Sequence, residues 1–278
     1  MFAQEFMRNA LLAGTCIALV CGVCGWFVVL RGQVFAGDAL SHVAFPGALA
    51  AAAAGIDERV GLFVATIAVG AGIGVLGAGV LTGRAGGGSD GYTPADDTAI
   101  GIVFTFILGL GVFFLTRFGM SSGAGSGITA ARTLFGSIFG LGAGEARTGA
   151  IIALAALLVM LLVARPLLFI SVSPQVARAR GVPARLLGIG FLALLGVVAA
   201  EATQAVGALL LLGLLAAPAA AAHRLLSGPF ASMALAALLA VAAMWAGLTL
   251  AYAVPALPPS SAVIGFAVAI YYVTVAFT

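Results

Sequence analysis

Apolar runs approaching 20 residues follow one another along the chain, separated by single arginines or by short turns rich in glycine and proline. About 20 apolar residues are what a helix rising ~1.5 Å per residue needs to cross the ~30 Å hydrocarbon core of a bilayer. Charge points the same way: 8% of the residues are charged, where a soluble domain carries about 25%, and mean hydropathy is +1.23. The chain is therefore expected to be an all-α, polytopic membrane helical bundle, with the lipid bilayer as its constant neighbour. The first run, 11–30, is too long for the apolar region of a signal peptide and has no small-residue cleavage site in place, so it is expected to remain as a span.

Charges and turn residues divide the chain into about nine spans (eight to ten), near 9–30, 36–54, 60–82, 97–116, 148–168, 186–202, 205–225, 229–252 and 259–277. Glycine and alanine dominate nearly every one, which suits helices packed closely through small faces. A tight turn is expected at Ala202, between the sixth and seventh spans. The longest polar connections are 83–96 and 117–147. Within the second, LFGSIFGLG (134–142) is too short to span, and a short helix at the membrane surface, or partly re-entering it, is expected there.

All 12 basic residues are arginines. Four of them, Arg165, Arg178, Arg180 and Arg185, flank the connection after the fifth span, which places that loop in the cytoplasm. Nine spans threaded from it put the N-terminus outside, with seven arginines on the cytoplasmic side and five opposite. Scattered arginines at the flanks of spans give no reason to expect nucleic acid as a partner, despite a net charge of +3. With no lysine the chain cannot hold the lysine of a nucleotide-gripping P-loop. It has no HExxH, no zinc-spaced cysteine pairs and no GxSG serine, so any work it performs draws energy from another protein or an ion gradient. Cys21 and Cys24 form a CxxC inside the first span; packing is the expected role, ahead of metal or redox chemistry.

Against this background GDALSHVAFPG (37–47) stands out, because it places a carboxylate and an imidazole inside an apolar run. An ionisable group in a membrane costs at least ~2.5–3.5 kcal/mol on insertion scales, and it usually faces a cavity or marks a pathway. Asp38 and His42 are spaced i, i+4, so on a helix they share a face ~6 Å apart along the axis and can converge on one small cation. Pro46 lacks an N–H and crowds the carbonyl of His42, so a kink that frees that oxygen is expected. Oxygen with imidazole, and no thiolate, suits Zn2+ or Mn2+ better than Cu(I). The plainer alternative is an Asp–His hydrogen bond that only satisfies two buried groups. Elsewhere, His223 and Arg224 read as an interfacial pair, Glu201 and Gln204 as solvated turn residues ahead of the alternative that they line an outer vestibule, Asp96 and Asp97 as helix caps, and Asp57 and Glu58 as a short external loop.

Taken whole, GDALSHVAFPG resembles the signature segment of the permease subunits of bacterial ABC importers for zinc and manganese. The resemblance continues at DDTAIGIVFTFILGLG (96–111), LFGSIFG (134–140), SPQVARARGVP (173–183) and QAVGALLLLGLLAAPAAAAHRLL (204–226), nearly the full chain. It implies one transmembrane permease domain over 1–278, similar to the cobalamin and siderophore permeases, in the bacterial inner membrane. It further implies a pair of such permeases, two cytoplasmic ATPase subunits that hold the ATP, and an extracytoplasmic metal-binding protein. By the same resemblance Asp38 and His42 meet the ion, and a coupling segment near 171–185 reaches the ATPase through Gln175, Arg178 and Gly181. Two departures are the glycine-rich 83–95 and His223, which stands where a small residue is more usual. The expected cargo is zinc, with manganese or iron as alternatives; an ion-coupled secondary carrier is the competing class. An intramembrane hydrolase lacks a second acid or nucleophile near the pair.

Overall fold

The computed structural model describes residues 4–83, 94–122, 136, 138–208 and 211–277, and regular structure among them is helical throughout. In chain order the helices are α1 (Glu5–Leu30), α2 (Val34–Ala53), α3 (Glu58–Gly83), α4 (Pro94–Ser122), α5 (Ala143–Val172), α6 (Pro174–Ala179), α7 (Ala184–Val206), α8 (Leu211–Leu225), α9 (Pro229–Ala253) and α10 (Pro259–Phe277). Among the described residues, α1, α2, α3, α5, α7, α9 and α10 supply seven stretches long and apolar enough to cross a membrane. The apolar part of α4, Ile100–Phe114, and α8 are shorter. These nine helices stand at the nine expected spans. Large apolar side chains such as Ile151, Leu158 and Leu162 of α5 point outward, the reverse of a water-facing helix. Several hydroxyls inside the spans bond locally: Thr66 donates to the Leu62 carbonyl (2.9 Å) and Thr274 to the Ile270 carbonyl (2.8 Å).

Two expectations change. The turn placed at Ala202 lies instead at Gly207, because nothing in AAEATQAV stops a helix and α7 runs on to Val206. Gly207 then takes φ 95°, a left-handed conformation that a β-carbon would oppose. Glu201 and Gln204 are therefore helical rather than turn residues, and Glu201 is only 5% exposed. The apolar piece at 134–142 contributes, among its described residues, only a 3-10 turn at Ile138–Gly140, with Ile138 buried. Residues 84–93 of the glycine-rich connection lie outside the described residues, as does most of 123–137.

The chain forms two compact units. One comprises Leu30–Ile128 and Leu158–Ala200. Here α2 packs on α3 and α4, with Ala44 and Ala48 of α2, Leu62 of α3 and Ala200 of α7 in one buried cluster. The α2–α3 crossing is backbone to backbone: a β-carbon on Gly61 would stand 2.5 Å from the Gly47 carbonyl oxygen. A β-carbon on Gly196 of α7 would meet the Thr66 carbonyl of α3 at the same distance, 2.5 Å. The other unit comprises Met1–Val29, Thr129–Leu157 and Glu201–Thr278. In it α8, α9 and α10 pack on one another, and Gly22 of α1 lies against the backbone of Ala236 and Ala237 in α9. Small residues do in both units what large interlocking side chains do in a soluble core.

Candidate functional site

Asp38 and His42 sit in the second and third turns of α2, which runs unbroken through Pro46; the Pro46 ring seats against Gly111 of α4. Their neighbours Gly37, Ala39, Leu40, Ser41 and Val43 are buried, whereas Asp38 and His42 are 29% and 17% exposed. The helix thus turns its two ionisable side chains toward its open side. His42 Nε2 stands 3.9 Å from Asp38 Oδ1, beyond hydrogen-bonding range. The plain Asp–His hydrogen bond is therefore not made. Ser41 donates its hydroxyl to the Asp38 backbone carbonyl (2.6 Å) and so leaves the carboxylate alone. Phe104 of α4 meets the His42 ring edge to face at 5.3 Å and Phe35 at 6.2 Å, which walls the pair on one side with apolar carbon.

This arrangement is chemically open. Two donors each ~2.1 Å from one ion at a tetrahedral angle stand ~3.4 Å apart, so a small rotamer change lets both meet a single cation. Among the described residues no third His, Cys, Asp or Glu completes a metal-binding group with them. Among the described residues the carboxylate and imidazole thus stand as a pair rather than as part of a larger donor group.

The other polar positions are committed elsewhere. His223, at the end of α8, stacks its ring on Trp26 of α1 at 4.7 Å with planes 16° apart. Its Nε2 lies 3.0 Å from the Trp26 carbonyl oxygen, to which only a protonated ring nitrogen can donate. The Trp26 indole N–H in turn donates to Ser232 of α9 (2.9 Å). Sequence reasoning did not find this knot, and its one available signal was a histidine where small residues surround it. Cys21 and Cys24 are fully buried and free within α1, as packing residues are. Asp57 accepts from the Arg59 backbone N–H (2.8 Å) at the start of α3. Asp96 and Asp97 fall in the first turn of α4, with side chains outside the described residues.

The segment 173–183 folds as α6 followed by a tight stop. Gly181 takes φ 75°, and the Val182 N–H reaches back to the Ala177 carbonyl (3.1 Å), a Schellman closure. Gln175 is exposed, and nothing lies within 4 Å of where a Gly181 β-carbon would stand. The Arg178 side chain lies outside the described residues.

The profile of the ABC 3 transport family matches residues 3–278. Among curated proteins, the manganese transport system membrane protein MntC of Halalkalibacterium halodurans is 29% identical over 248 residues, covering 89% of this chain and 79% of its own. A probable iron transport system membrane protein of Haemophilus influenzae is 28% identical, covering 77% of this chain and 72% of its own. Among solved structures, a chain of PsaBC from Streptococcus pneumoniae, in complex with Fab, superposes with a TM-score of 0.80 at 25% identity. That match covers 98% of this chain and 91% of the other.

Proposed function

This chain belongs to the ABC 3 transport family as the multi-pass membrane permease subunit of a metal importer, and from that premise we propose that its cargo is divalent manganese, met within the membrane by Asp38 and His42. The donor types alone put zinc first, whereas the relatives described above are named for manganese and iron. Carboxylate and imidazole serve all three ions, so support for one over another comes from kinship rather than from the donor set. Manganese stands ahead of iron because the manganese relative aligns with 89% of this chain against 77%.

The observation that carries the reading is an unbonded carboxylate and imidazole on the open face of an otherwise buried, apolar helix. Asp38 offsets the charge of an ion that has shed water, and His42 favours transition metals over Ca2+ and Mg2+. Two ligands per chain make a weak site, as release into the cell requires, and a second copy of the chain raises the set to four. Gln175, Arg178 and Gly181 present α6 to an ATPase subunit, which binds and hydrolyses the ATP, while an extracytoplasmic binding protein delivers the ion.

The test is uptake of radioactive manganese, iron and zinc into proteoliposomes that hold the permease with its ATPase and binding protein. Manganese should enter fastest and only with ATP inside reach of the ATPase. A preference for zinc overturns the cargo, and uptake driven by an ion gradient without ATP overturns the importer.

A further inference from the structure

Arg31 occupies the corner between α1 and α2, where Gly32 at φ 66° turns the chain. Its guanidinium reaches three elements of one compact unit. Nη1 donates to Ser171 Oγ near the end of α5 (3.0 Å), and Nε donates to Gln33 Oε1 (3.1 Å). The planar group also lies over the buried Phe191 ring of α7, 5.7 Å from its centroid. Ser171 is itself held, since it donates to the Leu167 carbonyl (2.6 Å) while accepting from Arg31. Gln33, the residue before α2, makes no side-chain cap to that helix, because its carboxamide oxygen is turned to Arg31. Among the described residues no carboxylate pairs with this half-buried cation. Burial lowers its pKa, yet a guanidinium stays charged in proteins.

These contacts have a pattern. Ser171 lies just before the segment 173–183, and Phe191 lies about two turns into the helix that follows it, so Arg31 touches the helices on both sides of that segment. On its other side, α2 begins three residues later and Asp38 follows about one turn on. We propose that Arg31 is a positioning residue that brackets the roots of the coupling segment to the start of α2, so that displacement of α6 is delivered to the helix carrying Asp38 and His42. A forked, planar cation is well shaped for such a bracket, because it holds several neutral partners in fixed directions, which the single ammonium of lysine cannot do. The inference rests on the coupling role proposed above for 173–183.

The experiment uses the full importer in proteoliposomes and reads manganese taken up per ATP hydrolysed, with manganese-loaded binding protein outside. Ser171→Ala and Arg31→Lys should each lower that ratio roughly five- to tenfold, in keeping with the loss of one hydrogen bond. Assembly with the ATPase and thermal stability in detergent should stay near wild type. Ser171→Thr, which keeps the hydroxyl, should restore the ratio, and Arg31→Lys with Ser171→Ala should be no worse than Arg31→Lys alone. An unchanged ratio in both single variants overturns the bracket. So does a loss of uptake that merely follows a loss of assembled or stable complex. Absence of metal-stimulated hydrolysis in the wild type would overturn the importer reading itself, and the bracket with it.

Discussion

The chain has two histidines, and the structure treats them in opposite ways. His223 stacks on Trp26, donates to its carbonyl and sits beside an indole that is itself bonded to Ser232. His42 touches Phe104 edge on and stands 3.9 Å from a carboxylate that also lacks a side-chain partner among the described residues. One imidazole spends a ring nitrogen and its face on tying α8 to α1; the other is bonded to no side chain among the described residues. A buried polar group that is fully bonded reports architecture, while one left unbonded at a real cost in lipid reports function. That contrast separates the two histidines more sharply than their surroundings in the sequence do.

The strongest way to break the contrast is at Asp38. Asp38→Asn keeps the shape and removes the charge, so manganese uptake should fall by at least the ~10–100-fold that weaker, outer-shell changes cost metal sites, with expression and assembly intact. His42→Ala should do the same. Normal uptake in both variants would make the pair structural and erase its difference from His223.

Next in size comes Gly181→Val. A β-branched residue at φ 75° costs about 1–2 kcal/mol locally, so the turn after α6 should be re-formed and uptake per ATP should drop about tenfold. Binding of manganese to the isolated permease should not change. Unaltered ATPase stimulation by metal-loaded binding protein would remove 173–183 from the coupling path.

His223→Ala should sharpen the comparison from the other side. Losing the ring stack and one hydrogen bond should destabilise the permease by about 2 kcal/mol, seen as a melting temperature a few degrees lower, while uptake per folded molecule stays within about twofold of wild type. His223→Phe, which keeps a stacking ring, should recover about half of the stability. A large loss of transport in a stable His223→Ala permease would place this histidine on the ion path as well. Smallest of all, Cys24→Ala should change stability by about 1 kcal/mol or less and leave uptake unaffected. Sensitivity of transport to this change would revive the CxxC.

Much of this was legible in the sequence, for a simple reason. In lipid each apolar run must become its own helix, so α1 through α10 stand close to where charge, glycine and proline punctuate the chain. The i, i+4 spacing of Asp38 and His42 put them on one face without reference to any other helix. What escaped depended on distant partners or on absent stop signals. Trp26 and His223 are 197 residues apart, and no local pattern couples them. Glu201 reads as a turn residue beside Gln204 until α7 is seen to continue to Gly207, which buries it. Gln33 stands where a helix cap would, and only the position of Arg31 shows why it caps nothing. The identity of the metal escaped too, since one carboxylate and one imidazole do not distinguish manganese from zinc.

The order in which the two units draw on the chain has a consequence for how the protein is made. Leu30–Ile128 and Leu158–Ala200 complete one unit early, whereas the other needs Met1–Val29 from the beginning and Glu201–Thr278 much later. At a synthesis rate of ~5–20 residues per second, Trp26 leaves the ribosome ~10–40 seconds before His223 exists to stack on it. During that wait the part of α1 that α8 and α9 later cover has no helix against it, and Gly22 and Gly25 face acyl chains instead. The apolarity of its second half, 16–30, is therefore a requirement of biogenesis as much as of the finished permease. A polar residue on the α1 face that is later covered should lower the yield of inserted protein before it lowers the stability of what does assemble.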